Sequence, residues 1–290
     1  MSTRINDVTP ITPISLVTMA LLSQGHRGFT PAETIEILGP FVDFVQDRCL
    51  PTSTSVAMST PEQARAALEQ LVENSVVTRT DGLTDHIYSI TRDQHLAAAY
   101  YRNTIIHFFI PVAIAELALA LGFESDEMLE DSVIERTLAL RDLLKFEFFF
   151  APTQEFIESI REELARYRIG DTGPDDPVQV NLRAMHPAKS PIVLRPFLEA
   201  YSVVAETLAL EDDRPVEAEN LKKRCLKMGE QMYHHGRIRN RESVTTALYS
   251  SGIKLADNRG LLSGGSESRR AFQRELADIL VALNAITDSD

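Results

Sequence analysis

The chain has 290 residues, 44% of them hydrophobic, which is enough for one large domain or two ordinary ones. Its formal net charge is −13, and its charged fraction of 24% excludes a wholly disordered chain. Nucleic-acid binding depends on neutralising phosphates, so this acidity predicts no nucleic-acid partner.

The first residues are predicted to form three helices. Ile14–Ser23 has apolar residues at helical spacing. Thr30-Pro31-Ala32-Glu33 places Thr at the N-cap, Pro at the first helical position and Glu at the third, and this helix is expected to continue to about Cys49. Thr60-Pro61-Glu62-Gln63 repeats the signal for a helix that ends near Asn74.

A hairpin is predicted after these helices. Val76–Thr80 and His86–Ile90 have strand composition and flank the turn residues Asp81-Gly82. Three helices followed by a small hairpin are typical of a winged helix. Residues 10–92 are therefore predicted to form a winged-helix-like unit.

Residues 93–122 are predicted to form one long helix. Thr104–Phe123 is almost continuously apolar, and about 20 apolar residues can span a bilayer. However, the run contains His107, Pro111 and Glu116, and a charge at mid-bilayer costs at least ~2.5 kcal/mol. We therefore expect a buried core helix rather than a membrane-contacting one.

The rest of the chain also has mainly helical patterns. Asp171–Pro177 is a loop by composition, and Val178–Leu182 is predicted to be a short strand. The predicted fold class is mainly α, a multi-helix assembly with a winged-helix-like N-terminal unit and short β-hairpins. The predicted parts are residues 1–92, 93–182 and 183–290. Further helices are expected at about 125–148, 153–168, 190–210, 215–232, 241–253 and 268–286.

Motifs for catalysis or cofactor binding are missing from the sequence. It contains no GxSxG, GxxxxGK, GxGxxG or HExxH pattern. Cys49 and Cys225 lie far apart, which indicates neither a metal site nor a disulfide framework. Without these motifs, neither a metal nor a cofactor is expected. The N-terminus has no basic segment followed by an apolar one, as a secretory signal would have, so a cytoplasmic protein is expected.

A polar cluster is predicted where the long apolar run begins, at Tyr100-Tyr101-Arg102-Asn103 and His107. In a continuous helix, Asn103 and His107 are four positions apart and share a face, with Arg102 beside them. Polar side chains at the start of an apolar helix need hydrogen-bond partners. The cluster either fixes helix packing or contacts a ligand or another domain.

This Tyr-Tyr-Arg-Asn-x-x-x-His pattern, followed by an apolar run, strongly resembles the C-terminal region of bacterial membrane-associated glycerol-3-phosphate acyltransferase. The resemblance covers nearly the whole chain. It implies transfer of an acyl group from acyl-CoA or acyl carrier protein to the 1-position of glycerol 3-phosphate, which yields lysophosphatidate for phospholipid biosynthesis at the cytoplasmic face of the inner membrane. Further similar segments follow in the family's order at Pro10–Gln24, Thr30–Glu33, Leu143–Phe149, Leu194–Ala205 and Ser243–Ile253.

The family's catalytic motif is missing. The family uses His-x4-Asp, in which the histidine acts as general base and the aspartate orients it. None of the seven histidines is followed by aspartate five positions later, and Pro-Glu-Gly-Thr-Arg-Ser is missing too. No catalytic residue is therefore assigned. The resemblance implies a non-catalytic region, inactive alone, whose partner is the acyltransferase catalytic domain.

A basic patch is predicted in residues 221–241, where the net charge is +6. It could bind an anionic membrane surface, coenzyme A phosphates or an acyl carrier protein. Alternatively, it is a solvated helix face that pairs with the chain's own acidic half, residues 1–144, whose net charge is −10. Its members are Lys222, Lys223, Arg224, Lys227, Arg237, Arg239 and Arg241.

Two other functions are possible from the sequence. One is a stand-alone scaffold or adaptor derived from the acyltransferase. The other is a winged-helix DNA-binding regulator, which the charge disfavours because residues 31–90 contain nine acidic residues and three arginines. The predicted third helix has only Arg65 to meet phosphate.

Overall fold

The computed structural model describes residues 9–24, 27–53, 59–122, 130–167, 188–211 and 213–287. Within these ranges the chain forms eleven α-helices and one two-stranded antiparallel sheet, which confirms the mainly α fold class. Two compact units, Met1–Phe109 and Ile110–Asp290, emerge from the contacts, while the three-part division stays a prediction. The predicted loop Asp171–Pro177 and strand Val178–Leu182 lie outside the described residues.

The helices of the first unit begin where the sequence predicts. The Thr30 hydroxyl accepts the backbone N–H of Glu33, whose carboxylate accepts the N–H of Thr30 at 2.8 Å. Thr60 and Gln63 form the same reciprocal cap. The unit contains α1 (Pro13–Ser23), α2 (Pro31–Asp47), α3 (Pro61–Glu73), β1 (Thr78–Asp81), β2 (His86–Ser89), a 3₁₀ turn (Arg92–Gln94), α4 (His95–Asn103) and a second 3₁₀ turn (Ile106–Phe109).

The hairpin follows the first three helices, as expected. β1 and β2 pair antiparallel with Thr78 opposite Ser89 and Asp81 opposite His86. Phe29, which precedes α2, exchanges two backbone hydrogen bonds with Tyr88 of β2, at 2.9 and 2.8 Å. These contacts bind the hairpin to the helices, and the winged-helix assignment stays a prediction.

The prediction of one continuous helix over residues 93–122 is wrong. α4 ends at Asn103, and the Thr104 hydroxyl donates to the Tyr101 carbonyl at 2.7 Å. Pro111 has no N–H to donate to the carbonyl four residues earlier, and its ring disfavours a continuous helix there. Among the described helices, none by itself combines the length and the apolar composition of a membrane span, whereas the bent pair Arg92–Asn103 and Ile106–Leu121 together reaches that length and composition.

The second unit is built around one central helix. α8 has buried residues on every side and packs against α5, α9, α10 and α11. α5 is also mostly buried, as expected for a core helix. The helices of this unit are α5 (Ile110–Leu121), α6 (Glu130–Leu143), α7 (Thr153–Tyr167), α8 (Ser190–Ala209), α9 (Ala218–His234), α10 (Thr246–Asn258) and α11 (Ser266–Thr287), with a 3₁₀ turn at Arg241–Ser243.

Candidate functional site

The predicted polar cluster is only partly assembled in the structure. Arg102 is buried, and its Nε and Nη2 atoms donate to Asn103 Oδ1 at 3.2 and 2.8 Å. Tyr100 is 71% exposed and meets Tyr101 edge to face, with ring centroids 5.9 Å apart. Arg102 and Asn103 therefore form one contact of the cluster, and Tyr100 and Tyr101 form another.

The predicted pairing of Asn103 and His107 on one helical face is wrong. Asn103 is the last residue of α4, whereas His107 lies in the following 3₁₀ turn. The His107 ring lies 4.0 Å from the ring of Phe108, measured between centroids. Because the helix breaks between them, four-residue spacing no longer places the two side chains on one face.

Four members of the basic patch pair with carboxylates. Lys222 pairs with Glu219 at 2.7 Å, and Arg224 pairs with Glu211. These two pairs reduce the positive charge at the start of α9.

The other two pairs lie at and beyond the end of α9. Arg237 forms a two-point pair with Glu206, with both distances 2.7 Å. Arg241 pairs with Glu230 at 2.9 Å. Four of the seven patch cations therefore pair with carboxylates, but all four carboxylates lie in residues 206–230, outside the acidic half (residues 1–144) that was expected to supply the partners.

A buried carboxylate fixes the turn that carries the last part of the patch. Glu199 of α8 accepts the backbone N–H groups of Arg239 and Asn240 at 3.0 and 3.1 Å, and the Ser243 hydroxyl at 2.8 Å. Burial raises the pKa of Glu199 despite these hydrogen bonds. The turn at 239–243 is therefore positioned by the core, which sequence spacing did not reveal.

Two lysines of the patch remain available. Lys223 and Lys227 are both exposed, and neither has an ion-pair partner in the described part of the chain. They are four residues apart on α9, so they lie on one helical face. The nearby Glu219 and Glu230 already pair with other cations. We call Lys223 and Lys227 the two-lysine face of the patch.

The sequence patterns did not reveal the structural role of a second buried carboxylate. Glu116 of α5 is fully buried and accepts hydrogen bonds from the backbone N–H groups of Lys189 and Ser190, at 2.7 and 2.8 Å. The Tyr167 hydroxyl donates to it at 3.2 Å. Glu116 thereby caps the start of α8. A single acid inside an apolar run was its only signal in the sequence.

Glu147 is a further acidic residue of the second unit with a buried carboxylate oxygen. It follows α6 and neighbours Tyr201 of α8 and Ser251 of α10. Its Oε1 atom and the Tyr201 hydroxyl are buried without a hydrogen-bond partner in the described residues. Burial raises the pKa of Glu147 to about 7, against smaller lowering effects of Ser251, Tyr201 and Lys254. This carboxyl can change its charge near neutral pH.

These carboxylates do not form a metal centre. Within the ranges that the structure describes, no group of three His, Cys, Asp or Glu side chains could hold a metal ion. Glu116 and Glu199 accept backbone N–H groups at chain turns and helix starts. Their geometry therefore supports packing and positioning.

Comparison with known proteins identifies the family. A family model described as the C-terminal region of glycerol-3-phosphate acyltransferase matches residues 1–265. The chain belongs to this family. The plsB1 proteins of Mycobacterium tuberculosis and Mycobacterium bovis, named as acyltransferases, are each 32% identical to it over 297 residues, which is 98% of this chain and 48% of the relative.

A more distant relative agrees with this assignment. A glycerol-3-phosphate acyltransferase of Aeromonas hydrophila is 26% identical over 291 residues, which is 98% of this chain and 35% of the relative. The chain therefore spans about half the length, or less, of the curated relatives that it matches. The resemblance drawn from the sequence is confirmed at the level of the family.

Proposed function

We propose that this chain acts as the C-terminal, non-catalytic region of a glycerol-3-phosphate 1-O-acyltransferase. The complete protein would transfer an acyl group from acyl-CoA or acyl carrier protein to glycerol 3-phosphate and form lysophosphatidate for phospholipid biosynthesis. The observation that carries this proposal is the family match over residues 1–265.

The proposed role is support of a catalytic domain. Acyl transfer to a hydroxyl needs a general base held by an orienting group. None of the seven histidines has aspartate five positions later, and the buried acids described above bind helix starts and turns. The part of the relatives outside the match is the proposed location of the catalytic pair.

The second proposed role is docking at the cytoplasmic face of the inner membrane. Its support is the exposed pair Lys223 and Lys227, whose charges are not offset by ion pairs within the described residues. Anionic lipid attracts such side chains by about 1 kcal/mol per lysine. Acyl carrier protein is the alternative partner for this face, because it too would be recognised through negative charge.

The test is acyl transfer by a hybrid protein. In the Mycobacterium tuberculosis relative, the half that matches this chain is replaced by this chain. We expect the hybrid to acylate glycerol 3-phosphate with acyl-CoA, and we expect neither this chain alone nor the relative lacking that half to do so. The unaltered relative is the positive control, and circular dichroism checks folding.

Two results would contradict the proposal. Acyl transfer by this chain alone would overturn the non-catalytic role. Full activity of the relative without its matching half would show that the region gives no support to catalysis. If the hybrid is inactive, a second experiment uses the relative that lacks its matching half. To it is added either the purified missing half of the relative or this chain. If only the relative's own half restores acyl transfer, this chain and that half are not functionally equivalent.

A further inference from the structure

The segment after α6 presents two phenylalanine rings to solvent. Phe149 is 79% exposed and Phe146 is 39% exposed. The intervening Phe148 packs edge to face on Phe197 of α8, with ring centroids 4.8 Å apart. Phe150 packs in the same way on Phe156 of α7 at 5.3 Å. Half-buried, packed rings therefore alternate with exposed rings along a short segment.

Polar contacts fix this segment at both ends. The Lys145 ammonium donates to Asn258 Oδ1 of α10 at 2.7 Å. At the other end, Arg141 Nη2 of α6 donates to the carbonyl of Ala151, which directly follows the segment, at 3.0 Å. The exposed rings thus stand on an anchored segment. Clustered exposed apolar side chains of this kind mark interaction surfaces more often than single ones do.

Two lysines lie close to this segment, one of them paired with a carboxylate and the other exposed without an ion pair in the described part of the chain. Lys145 lies 5.6 Å from the Phe146 ring centroid. Lys254 is exposed, has no ion-pair partner within the described residues, and lies near enough to Glu147 to lower its pKa. The Asp142 carboxylate is shared between Lys145 and Arg259, at 2.9 and 3.9 Å. Aromatic rings beside lysines are the composition of segments that lie at an anionic membrane interface.

We propose that Phe146 and Phe149 insert into the headgroup layer of an anionic bilayer, with the unpaired Lys254 next to the lipid phosphates, while Lys145 holds the segment through Asn258 and Asp142. This inference rests on the proposed function, in which the region works at a membrane surface, and it names a docking element separate from the two-lysine face. On insertion the exposed rings leave water, which is favourable, and the flexible Lys254 side chain reaches the phosphate level with its charged end.

The experiment is flotation of this chain with vesicles of phosphatidylcholine, with and without an equimolar amount of phosphatidylglycerol. The variants are Phe149→Ser and the double variant Phe146→Ser with Phe149→Ser. The matched control is Leu83→Ser, because Leu83 is also a fully exposed apolar side chain but lies in the hairpin of the first unit. Circular dichroism verifies that each variant is folded.

We expect the wild-type chain and Leu83→Ser to float with the anionic vesicles, and Phe149→Ser to bind about tenfold more weakly. Equal binding by wild type and the double variant overturns the proposal, as does failure of the wild type to float. Equal loss in Leu83→Ser also overturns it.

Other occupants of the surface give different results. If the rings cover a second copy of this chain, Phe149→Ser changes the sedimentation coefficient without vesicles, and the membrane proposal is overturned. Flotation needs no acyl transfer, so acyl transfer by this chain alone together with normal flotation contradicts the proposed function alone. An active hybrid whose parent chain does not float contradicts the membrane anchor alone.

Discussion

Glu116 and Ser190 are joined by two hydrogen bonds, from the Ser190 backbone N–H at 2.8 Å and from its hydroxyl at 3.0 Å, both to Glu116 Oε2. The same hydroxyl lies 2.6 Å from the Ala113 carbonyl oxygen, to which it can donate instead. The first turn of a helix has N–H groups without intrahelical acceptors, and a carboxylate also suits the positive end of the helix dipole. Glu116 therefore secures α8, the central helix of the second unit.

Replacing Glu116 should destabilise the second unit. Glu116→Ala leaves several buried donors without an acceptor, so we expect a loss of roughly 3 kcal/mol in the free energy of unfolding. Glu116→Gln keeps one acceptor oxygen and should lose less. Urea denaturation followed by circular dichroism measures both. Equal stability of Glu116→Ala and the wild type would show that the cap is not important.

The helix starts could be predicted from the sequence, whereas this cap could not. The signals at Thr30 and Thr60 depend on residues three positions apart, which are visible in a short segment. Glu116 and Ser190 meet across 74 positions of the chain. Such a contact depends on the packing of separate helices, which residue periodicity does not specify.

The sequence was limited in the same way for the residues proposed to have a function, because it did not show which side chains they contact. The basic patch was visible as a local excess of charge, but Glu206 and Glu211 lie on or just after α8 and neutralise part of it. The break after Asn103 had a local signal in Pro111, but the continuous apolar pattern suggested an unbroken helix. Composition identified the segments, and packing decided which side chains are available.

Glu147 should make stability depend on pH. Its folded-state pKa of about 7 exceeds the ordinary value of 4.5, so the folded protein keeps a proton that the unfolded chain releases. The stabilisation is full below the unfolded pKa and is lost as the pH rises to the folded pKa. The free energy of unfolding should therefore fall by up to about 3 kcal/mol across this window.

The matched variant for this prediction is Glu147→Gln. It cannot ionise, so its stability relative to the wild type should improve as the pH rises through the same window and level off above it. Thermal unfolding at a series of pH values compares the two. Parallel pH profiles for both proteins would assign the pH dependence to other groups.

Gly229 allows α9 and α10 to approach closely. A methyl group at this position would overlap the buried Tyr249 hydroxyl oxygen and lie 3.1 Å from its Cζ atom. Gly229→Ala should therefore cost about 2 kcal/mol, because a packed interior does not absorb an extra carbon without shifts.

A double-mutant cycle tests the cause of that cost. The Tyr249 hydroxyl has no hydrogen-bond partner among the described residues, so Tyr249→Phe alone should be nearly neutral. In the Tyr249→Phe background, Gly229→Ala should cost clearly less, because the overlapping atom is gone. Strict additivity in chemical denaturation would place the strain elsewhere.

The two-lysine face gives a prediction about charge rather than packing. Replacing Lys223 and Lys227 with glutamine should weaken binding to anionic vesicles roughly thirtyfold, because each lysine contributes about 1 kcal/mol near such a surface. The matched control replaces Lys222 and Arg237, which removes the same charge but from side chains already paired with Glu219 and Glu206. Flotation at increasing salt should show a smaller salt dependence for the first variant only, because salt screens the exposed charges that drive binding. If both variants lose affinity equally, net charge governs binding, and the unpaired lysines have no special role.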